Sequence, residues 1–249
     1  MAKISIITVN FNNGKYLEEA IRSVLSQRNI DLEYILIDGN SADSSVEIIA
    51  KYKNDFSKLV VESDNGVYDA MAKGLELATG DIIGFLNSDD LYAYENCLSD
   101  VVSAFEKSGV DCLYGDLKYV AREKPSKVIR GWISGTYIAN SFEWGWHPPH
   151  PSFFAKKNVY QKFGSFNQRY KIAADFDIMY RLIEKHKLRV HYLQKFLVHM
   201  REGGLSNKNI KNILNANLEC FHSIKANGGK PNFLFPIIKP VRKIKQFFV

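Results

Sequence analysis

The chain has 249 residues, 46% apolar and 24% charged, values that permit a sizeable core and exclude a disordered or collagen-like chain. The net charge is +6, yet residues 225–249 hold six Lys or Arg and no acid, leaving 27 bases against 27 acids in residues 1–224. That balance speaks against a nucleic-acid-binding body and places the whole excess in a C-terminal tail.

Residues 4–9 (ISIITV) are an unbroken apolar run that predicts a buried strand, and residues 15–27 (KYLEEAIRSVLSQ) have helical spacing. A strand over 34–37 runs into Asp38-Gly39, with a helix expected over 44–52. A strand at 59–61, a helix at 67–78, a strand at 82–86, a helix at 91–107 and a strand at 112–114 follow. Strands alternating with helices of this length predict an α/β fold with a mainly parallel sheet, whose ligands gather at the carboxyl ends of the strands. The polar residues there are Asn10 and Asn12, Asp38, Asp64, the run Ser88-Asp89-Asp90, and Asp116. Residues 116–150 are rich in aromatics and Gly and predict loops and short strands. Helices are expected over 158–163, 175–187 and 207–225, with a strand over 189–198. No repeat or low-complexity linker interrupts the chain.

Several local patterns carry chemistry. FLNSDD (85–90) ends an apolar run on two adjacent carboxylates, which either start the next helix or hold a hard cation such as Mg²⁺. Asp38 is a turn residue or an acceptor for a base imide or ribose hydroxyl. Asp69 and Lys73 form an i,i+4 pair, by itself an ordinary surface ion pair. His147 and His150 flank a double proline in WHPPHPSFF, a setting that suits a packed turn. A GxGxxG after the first strand and a GxxxxGK[ST] are both missing, which removes support for dinucleotide and P-loop readings. Cys97, Cys112 and Cys220 are scattered, a pattern of reduced thiols in a cytosolic protein. The N-terminal apolar run is too short for a secretory signal, and no window of about 18 apolar residues predicts a transmembrane helix.

The order SIITVNFN, ILIDGNSADSS and ESDNGVYDAMAKGLELATGDIIGFLNSDD resembles glycosyltransferase family 2, nearly continuously over residues 3–90. The likeness resumes at HPSFFAKKNVYQKFGSFNQRYKIAADFDIMYRL (150–182) and at REGGLS (201–206). It implies a GT-A nucleotide-sugar fold, with residues 1–224 as the transferase domain: a nucleotide-binding part over 1–115 and an acceptor-side part over 116–224. By resemblance Thr8, Val9, Asn10, Asn12 and Asp38 hold the nucleoside, with Asp38 on uracil, and Asp69, Lys73 and Ser88 belong to the same donor site. The family's acidic metal motif falls on Ser88-Asp89-Asp90, so Mn²⁺ or Mg²⁺ rests on Asp89 and Asp90, with Asp90 the expected direct ligand. Asp175, in IAADFDIMYRL, aligns with the family's catalytic base, although Ala174 stands where the family has Glu. His150 and Asp177 fall on the acceptor side. His199, a further candidate metal ligand, and Arg201, a candidate phosphate contact, precede Gly203-Gly204 in a potential lid.

The resemblance implies an inverting hexosyltransferase that extends bacterial surface polysaccharide, such as O-antigen, from a UDP-sugar onto a lipid-linked or soluble saccharide, with no nucleic acid partner. A non-catalytic nucleotide-sugar-binding subunit and a sugar nucleotidyltransferase are the alternatives. The tail (PNFLFPIIKPVRKIKQFFV, 231–249) interleaves apolar and basic residues, with a short amphipathic helix expected over 241–249. It either docks on the domain or meets an anionic membrane surface. The second reading places the enzyme peripherally on the inner face of the cytoplasmic membrane.

Overall fold

A computed structural model describes residues 1–203, 210–242 and 246–247. Its first half is built from β1 (Lys3–Asn10), α1 (Gly14–Leu25), β2 (Asp31–Asp38), α2 (Ser45–Tyr52), β3 (Lys58–Val61), α3 (Val67–Leu77) and β4 (Ile82–Asn87). After these come β5 (Leu91–Tyr92), α4 (Cys97–Ser108), β6 (Cys112–Ala121), β7 (Lys124–Trp132), β8 (Phe153–Lys156) and α5 (Lys157–Phe163). The chain then forms α6 (Ala174–Tyr180), a π turn over Arg181–Lys185, β9 (Val190–Arg201), α7 (Ile210–Ala226) and α8 (Phe235–Arg242). Among the described residues no helix is long and apolar enough to cross a membrane.

The nine strands form one sheet in the order β3-β2-β1-β4-β8-β6-β9-β5, with β7 paired to β6. β3, β2, β1 and β4 run parallel, whereas β8 is antiparallel to both β4 and β6. Side chains alternate across each strand. Ile4, Ile6, Tyr34 and Leu36 therefore pack on the side of α1, α2 and α4, and Ile7, Val9, Ile35 and Ile37 on the side of α3. Burial on both faces is why these strands read as continuous apolar runs. Each fully buried Ile or Leu contributes about 1.5–3 kcal/mol. The register pairs Asn10 with Asp38 and Val9 with Asn87, so three parallel strands end side by side in polar residues.

Three expectations change. Residues 91–96 are not helical: Leu91 and Tyr92 pair with His199 and Val198 of β9, and the helix starts only at Cys97. A strand partner distant in sequence overrides the local helical spacing, so the FLNSDD acids do not cap a helix at residue 91. Residues 116–132 are a long β6–β7 hairpin rather than short pieces. In the tail, the helix covers Phe235–Arg242 and starts six residues before the expected one. Pro236 fits its first turn, where the missing N–H has no intrahelical acceptor. Residues 243–245 and 248–249 of the expected tail helix lie outside the described residues.

Glu33 of β2 pins the opposite end of the sheet. Its carboxylate accepts bonds from Ser5 Oγ, Thr79 N and Thr79 Oγ1, each 2.6 Å, and lies 3.5 Å from Lys3 Nζ. Burial pushes its pKa up, but these donors and Lys3 outweigh it, taking the group from an ordinary 4.5 to about 2. A carboxyl held below its unfolded value stabilises above that value and loses this contribution as pH falls toward the folded one. The stability gap between the native protein and Glu33→Gln should therefore be widest above pH 4.5 and shrink toward pH 2 in acid titrations followed by circular dichroism.

Candidate active site

At the carboxyl ends of β1 and β4 lies a cleft of about 480 Å³. Val9, Asn10, Phe11 and Asn12 from the end of β1, Ser88 and Asp89 from the turn after β4, and His150 and Asp175 line it. Asn10 is 3% exposed. Its Nδ2 donates to Asp38 Oδ1 at 2.7 Å and to Ser41 Oγ at 3.2 Å, while its Oδ1 has no partner among the described residues. Turning the amide over would set its oxygen against the carboxylate, so the network fixes which atom is free. Asp38 itself is 1% exposed and does not line the cleft. It stands behind Asn10, also accepting bonds from Ser41 N at 2.8 Å and Ser41 Oγ at 2.7 Å. Thr8 is buried deeper, accepting a 3.2 Å bond from the Tyr34 hydroxyl. Asn12 adopts a left-handed φ of 47°, with its N–H on Ser41 Oγ at 2.8 Å. Beside it the Phe11 ring is 64% exposed on the cleft rim. Gly39 permits this crowding, because a Cβ there would stand 2.7 Å from Asp64 Oδ2 and 3.1 Å from Phe11 Cδ2.

The acidic turn divides its roles. Asp89 lines the cleft, and its Oδ2 lies 3.4 Å from Arg122 Nη1. Asp90 is buried behind it, with Oδ2 accepting from Asn87 Nδ2 at 2.9 Å and Oδ1 without a partner among the described residues. Burial, then the neighbouring Asp89 charge, pushes the Asp90 pKa well up, and burial also raises Asp89. Asp89 thus faces the cleft, whereas Asp90, the expected direct ligand, is buried behind it. Among the described residues no group of three or more His, Cys, Asp or Glu could hold a metal. A cation here would rest on one or two carboxylates and complete its shell with water and phosphate oxygens, as Mg²⁺ commonly does. The cleft-facing Asp89 and the unpartnered Asp90 oxygen fit such a hard cation.

Asp175, the second residue of α6, lines the cleft, and its Oδ1 accepts from Phe176 N at 2.8 Å and from the Tyr68 hydroxyl at 3.1 Å. The single Tyr68 hydroxyl proton is shared between Asp175 and the nearer Ile172 O at 2.7 Å, and the ring stacks on Phe166. His150 stacks on Phe85 at 5.4 Å, and its Nε2 is buried without a partner among the described residues. Burial lowers its pKa, opposed by the Asp175 charge, so the ring enters the cleft wall as neutral imidazole at pH 7.

Other expected site residues fall elsewhere. Asp177 is fully buried off the cleft and bonds Arg181 Nε at 2.9 Å, Ser223 Oγ at 2.6 Å and Asn227 Nδ2 at 3.1 Å. Arg201 is 1% exposed and lies under the acidic turn, not over a phosphate. It donates to Asp89 O at 2.7 Å, Arg122 O at 3.0 Å and Glu19, with its guanidinium over the Tyr16 ring. His199 is off the cleft, whose wall takes its neighbour Met200, because successive strand side chains point to opposite faces. Asp69 and Lys73 brace the 62–66 turn through Asn65 N at 3.0 Å and Glu62 at 2.8 Å. Asp116 is buried under Ser134 N and the Tyr192 hydroxyl. Gly204 of the potential lid lies outside the described residues.

Sequence reasoning missed Phe11, Tyr68 and Arg122. Helical position brings Tyr68 to the cleft, and the β6–β7 hairpin delivers Arg122, which nothing local to its sequence marks. Arg122 stacks over Tyr16 at 4.5 Å and donates to Glu202 O at 3.0 Å. It is the one cation lining this cleft among the described residues, against Asp64, Asp89 and Asp175.

Comparison with known proteins adds to this geometry. Residues 5–170 match the family described as glycosyl transferase family 2. A "PGL/p-HBAD biosynthesis glycosyltransferase" of Mycobacterium bovis is 28% identical over 208 residues, covering 82% of this chain and 78% of the relative. S. aureus TarS shares the fold with a TM-score of 0.65 at 17% identity over 99% of this chain, which spans 43% of that structure's chain. A TarS fragment solved with UDP gives 0.65 at 17% identity, over 98% of this chain and 72% of the fragment. A mannosyltransferase from Pyrobaculum calidifontis, solved with GDP-Man and Mn²⁺, also gives 0.65 at 17% identity, over 96% and 68%. The fold is therefore that of GT-A glycosyltransferases.

Proposed function

Because this chain belongs to glycosyl transferase family 2, we propose that it moves a hexose or N-acetylhexosamine from a UDP-sugar to a saccharide hydroxyl, with inversion. The observation that carries this reading is one cleft lined by Asn10 and Asp89, beside the ends of β1 and β4, and by Asp175 of α6. Phe11 offers a face for the base, and Asn10, whose Oδ1 is buried without a partner among the described residues, would accept the uracil imide N–H with Asp38 behind it. Arg122 is placed to turn from Asp89 to the diphosphate, where a guanidinium pairs well with phosphate oxygens. Asp89, with Asp90 behind it, would hold Mn²⁺ or Mg²⁺, which offsets the charge that develops on the departing diphosphate.

Asp175 takes the proton of the acceptor hydroxyl as that oxygen bonds to the anomeric carbon. The bond from that carbon to the diphosphate oxygen breaks, and UDP leaves with the electron pair. Tyr68 holds the Asp175 carboxylate toward the cleft. In this reading residues 1–115 grip the nucleotide and 116–224 serve the acceptor, with Arg122 the exception. The acceptor is a saccharide on a polyprenyl diphosphate in bacterial surface-polysaccharide synthesis, such as O-antigen, and the basic tail keeps the enzyme on the inner face of the cytoplasmic membrane. Support for the last point is the tail's excess of cations.

A hydrolysis panel of UDP-, GDP- and dTDP-sugars with Mn²⁺, Mg²⁺ or EDTA tests the donor and the cation together. The expected result is slow, metal-dependent turnover of one UDP-hexose or UDP-N-acetylhexosamine. Preference for a GDP-sugar, or full activity in EDTA, would overturn it.

A further inference from the structure

Cys220 of α7 and Lys239 of α8 meet inside the protein, 1% and 8% exposed. Lys239 Nζ donates to Cys220 Sγ at 2.7 Å, the length of a short N–H···O bond although sulfur is a larger atom than oxygen. The lysine arm has little room to turn. A Cβ on Gly145 would stand 2.8 Å from Lys239 Cβ, and the ammonium lies over the rings of Phe176 and Phe235 at 5.0 and 5.8 Å. Phe235 in turn packs edge-on against Phe221, the residue after Cys220, at 6.3 Å.

Among the described residues Lys239 makes no ion pair with a carboxylate, and ring faces compensate a buried ammonium only in part. Burial pushes the Cys220 thiol up, opposed by the neighbouring Lys239 charge, so the sulfur stays protonated at pH 7. The pair is thus a buried cation on a neutral thiol, and a reaction that removes the charge relieves the cost of burying it. Cys97 and Cys112 are buried too, but Cys97 donates to Leu197 O at 3.3 Å, and neither meets an amine among the described residues. Lys239 also lines a pocket of about 320 Å³ with Trp132, Trp146 and Arg242, so a small oxidant comes within one lysine side chain of the sulfur.

We propose that Cys220 and Lys239 form a covalent modification site, at which dioxygen or hydrogen peroxide places one oxygen atom between Sγ and Nζ. In the dioxygen reaction the S–H bond and one N–H bond break, an S–O and an O–N bond form, and the second oxygen atom leaves as water. Sulfur and nitrogen each give up two electrons and dioxygen takes all four, while an ammonium also releases its extra proton. The bridged nitrogen is only weakly basic, so the buried charge disappears. The bridge ties α8 to α7 behind Phe176, the residue after Asp175, across a sequence separation of 19 residues. It therefore restrains the unfolded chain as a disulfide does. Two equivalents of a dithiol return the four electrons and restore thiol, amine and water. The inference stands apart from the donor and acceptor proposed above, and mass rather than sugar transfer reads it.

Full-length protein, purified in dithiothreitol and then freed of it, is exposed to air or dilute hydrogen peroxide, digested without reductant and followed by mass spectrometry. The expected product joins the peptides that hold Cys220 and Lys239, with one oxygen more and two hydrogens fewer than their sum, and dithiothreitol reverses it. The thermal midpoint of the bridged chain stands several degrees above that of the reduced chain. Cys220→Ser and Lys239→Arg, the second of which keeps the charge, each abolish the product and the rise in midpoint. The mass of the native chain decides the matter even where a variant folds poorly. Sulfenic or sulfinic acid on Cys220 with Lys239 unchanged overturns the inference, as does a disulfide to Cys97 or Cys112. A joined pair that lost two hydrogens without gaining oxygen is a direct S–N bond and overturns the oxygen bridge. An unmodified pair in a sample whose methionines are oxidised sinks the site altogether, and equal midpoints for bridged and reduced chains sink its role as a staple.

Discussion

Asp175→Asn lowers the rate of sugar transfer by about 10³-fold while leaving UDP affinity within about twofold, as read by product formation and calorimetry. The loss corresponds to about 4 kcal/mol of transition-state stabilisation. The amide has the shape of the carboxylate and still offers Oδ1 to Phe176 N and the Tyr68 hydroxyl, so the helix start and the cleft wall stay in place. What disappears is the capacity to take a proton from the acceptor. Donor binding is spared because Asn10, Phe11 and Asp89 come from the ends of β1 and β4, and none of them bonds the Asp175 carboxylate. Tyr68→Phe supplies the graded comparison: the carboxylate remains but loses a donor, and turnover falls about tenfold with the substrate constants little changed. If Asp175→Asn transfers sugar at the native rate, the proton goes elsewhere. The buried imidazole of His150, whose Nε2 lacks a partner among the described residues, is then the next group to replace.

The parallel half of the sheet was legible because its strands are apolar on both faces and end abruptly in Asn10, Asp38 and Asn87. Their side-by-side register follows from parallel pairing, so a cleft at that edge could be expected from the sequence. Which of the polar residues faces the cleft could not. Ser41, three residues after Asp38, and Asn10 Nδ2 together hold that carboxylate, and Asn10 Oδ1 is left buried without a partner among the described residues. Asp89 and Asp90 are equivalent in the sequence, yet one faces the cleft and the other is buried, a distinction set by the extended chain from Leu91 into its pairing with β9. Arg201 read as a surface cation near a phosphate; as the last residue of β9, it is instead drawn beneath the turn to satisfy the carbonyls of Asp89 and Arg122. The hairpin that carries Arg122 is itself local, but its first strand, β6, is set against β8 and β9 far along the chain, and no local pattern marks that placement. Local patterns specified the elements, and long-range pairing decided which side chains reach the site.

Asp177→Ala destabilises the fold by about 3–5 kcal/mol, the usual cost of removing one partner of a buried ion pair. For a chain of this size that lowers the thermal midpoint by about 6–20 °C. Two residues after Asp175, Asp177 is rotated roughly 200° around the helix and so points away from the cleft. There it joins three elements. Arg181, held by its Nε, also donates to Phe163 O and Ser165 O at the end of α5, while Ser223 and Asn227 come from α7 and the turn beyond it. Alanine leaves the Arg181 guanidinium half-satisfied and two polar side chains facing an empty space, and water has little access to replace the lost oxygens. Asp177→Asn keeps one acceptor oxygen and should cost about half as much. Well below the midpoint both variants should turn over within about threefold of the native rate, because neither alters Asp175 or the donor end. A native midpoint with weakened acceptor affinity would instead return Asp177 to the acceptor side, where the sequence pattern had placed it. The contrast with Asp175 is therefore diagnostic: two aspartates on one short helix, one whose loss stops the chemistry and one whose loss loosens the wall that aims it.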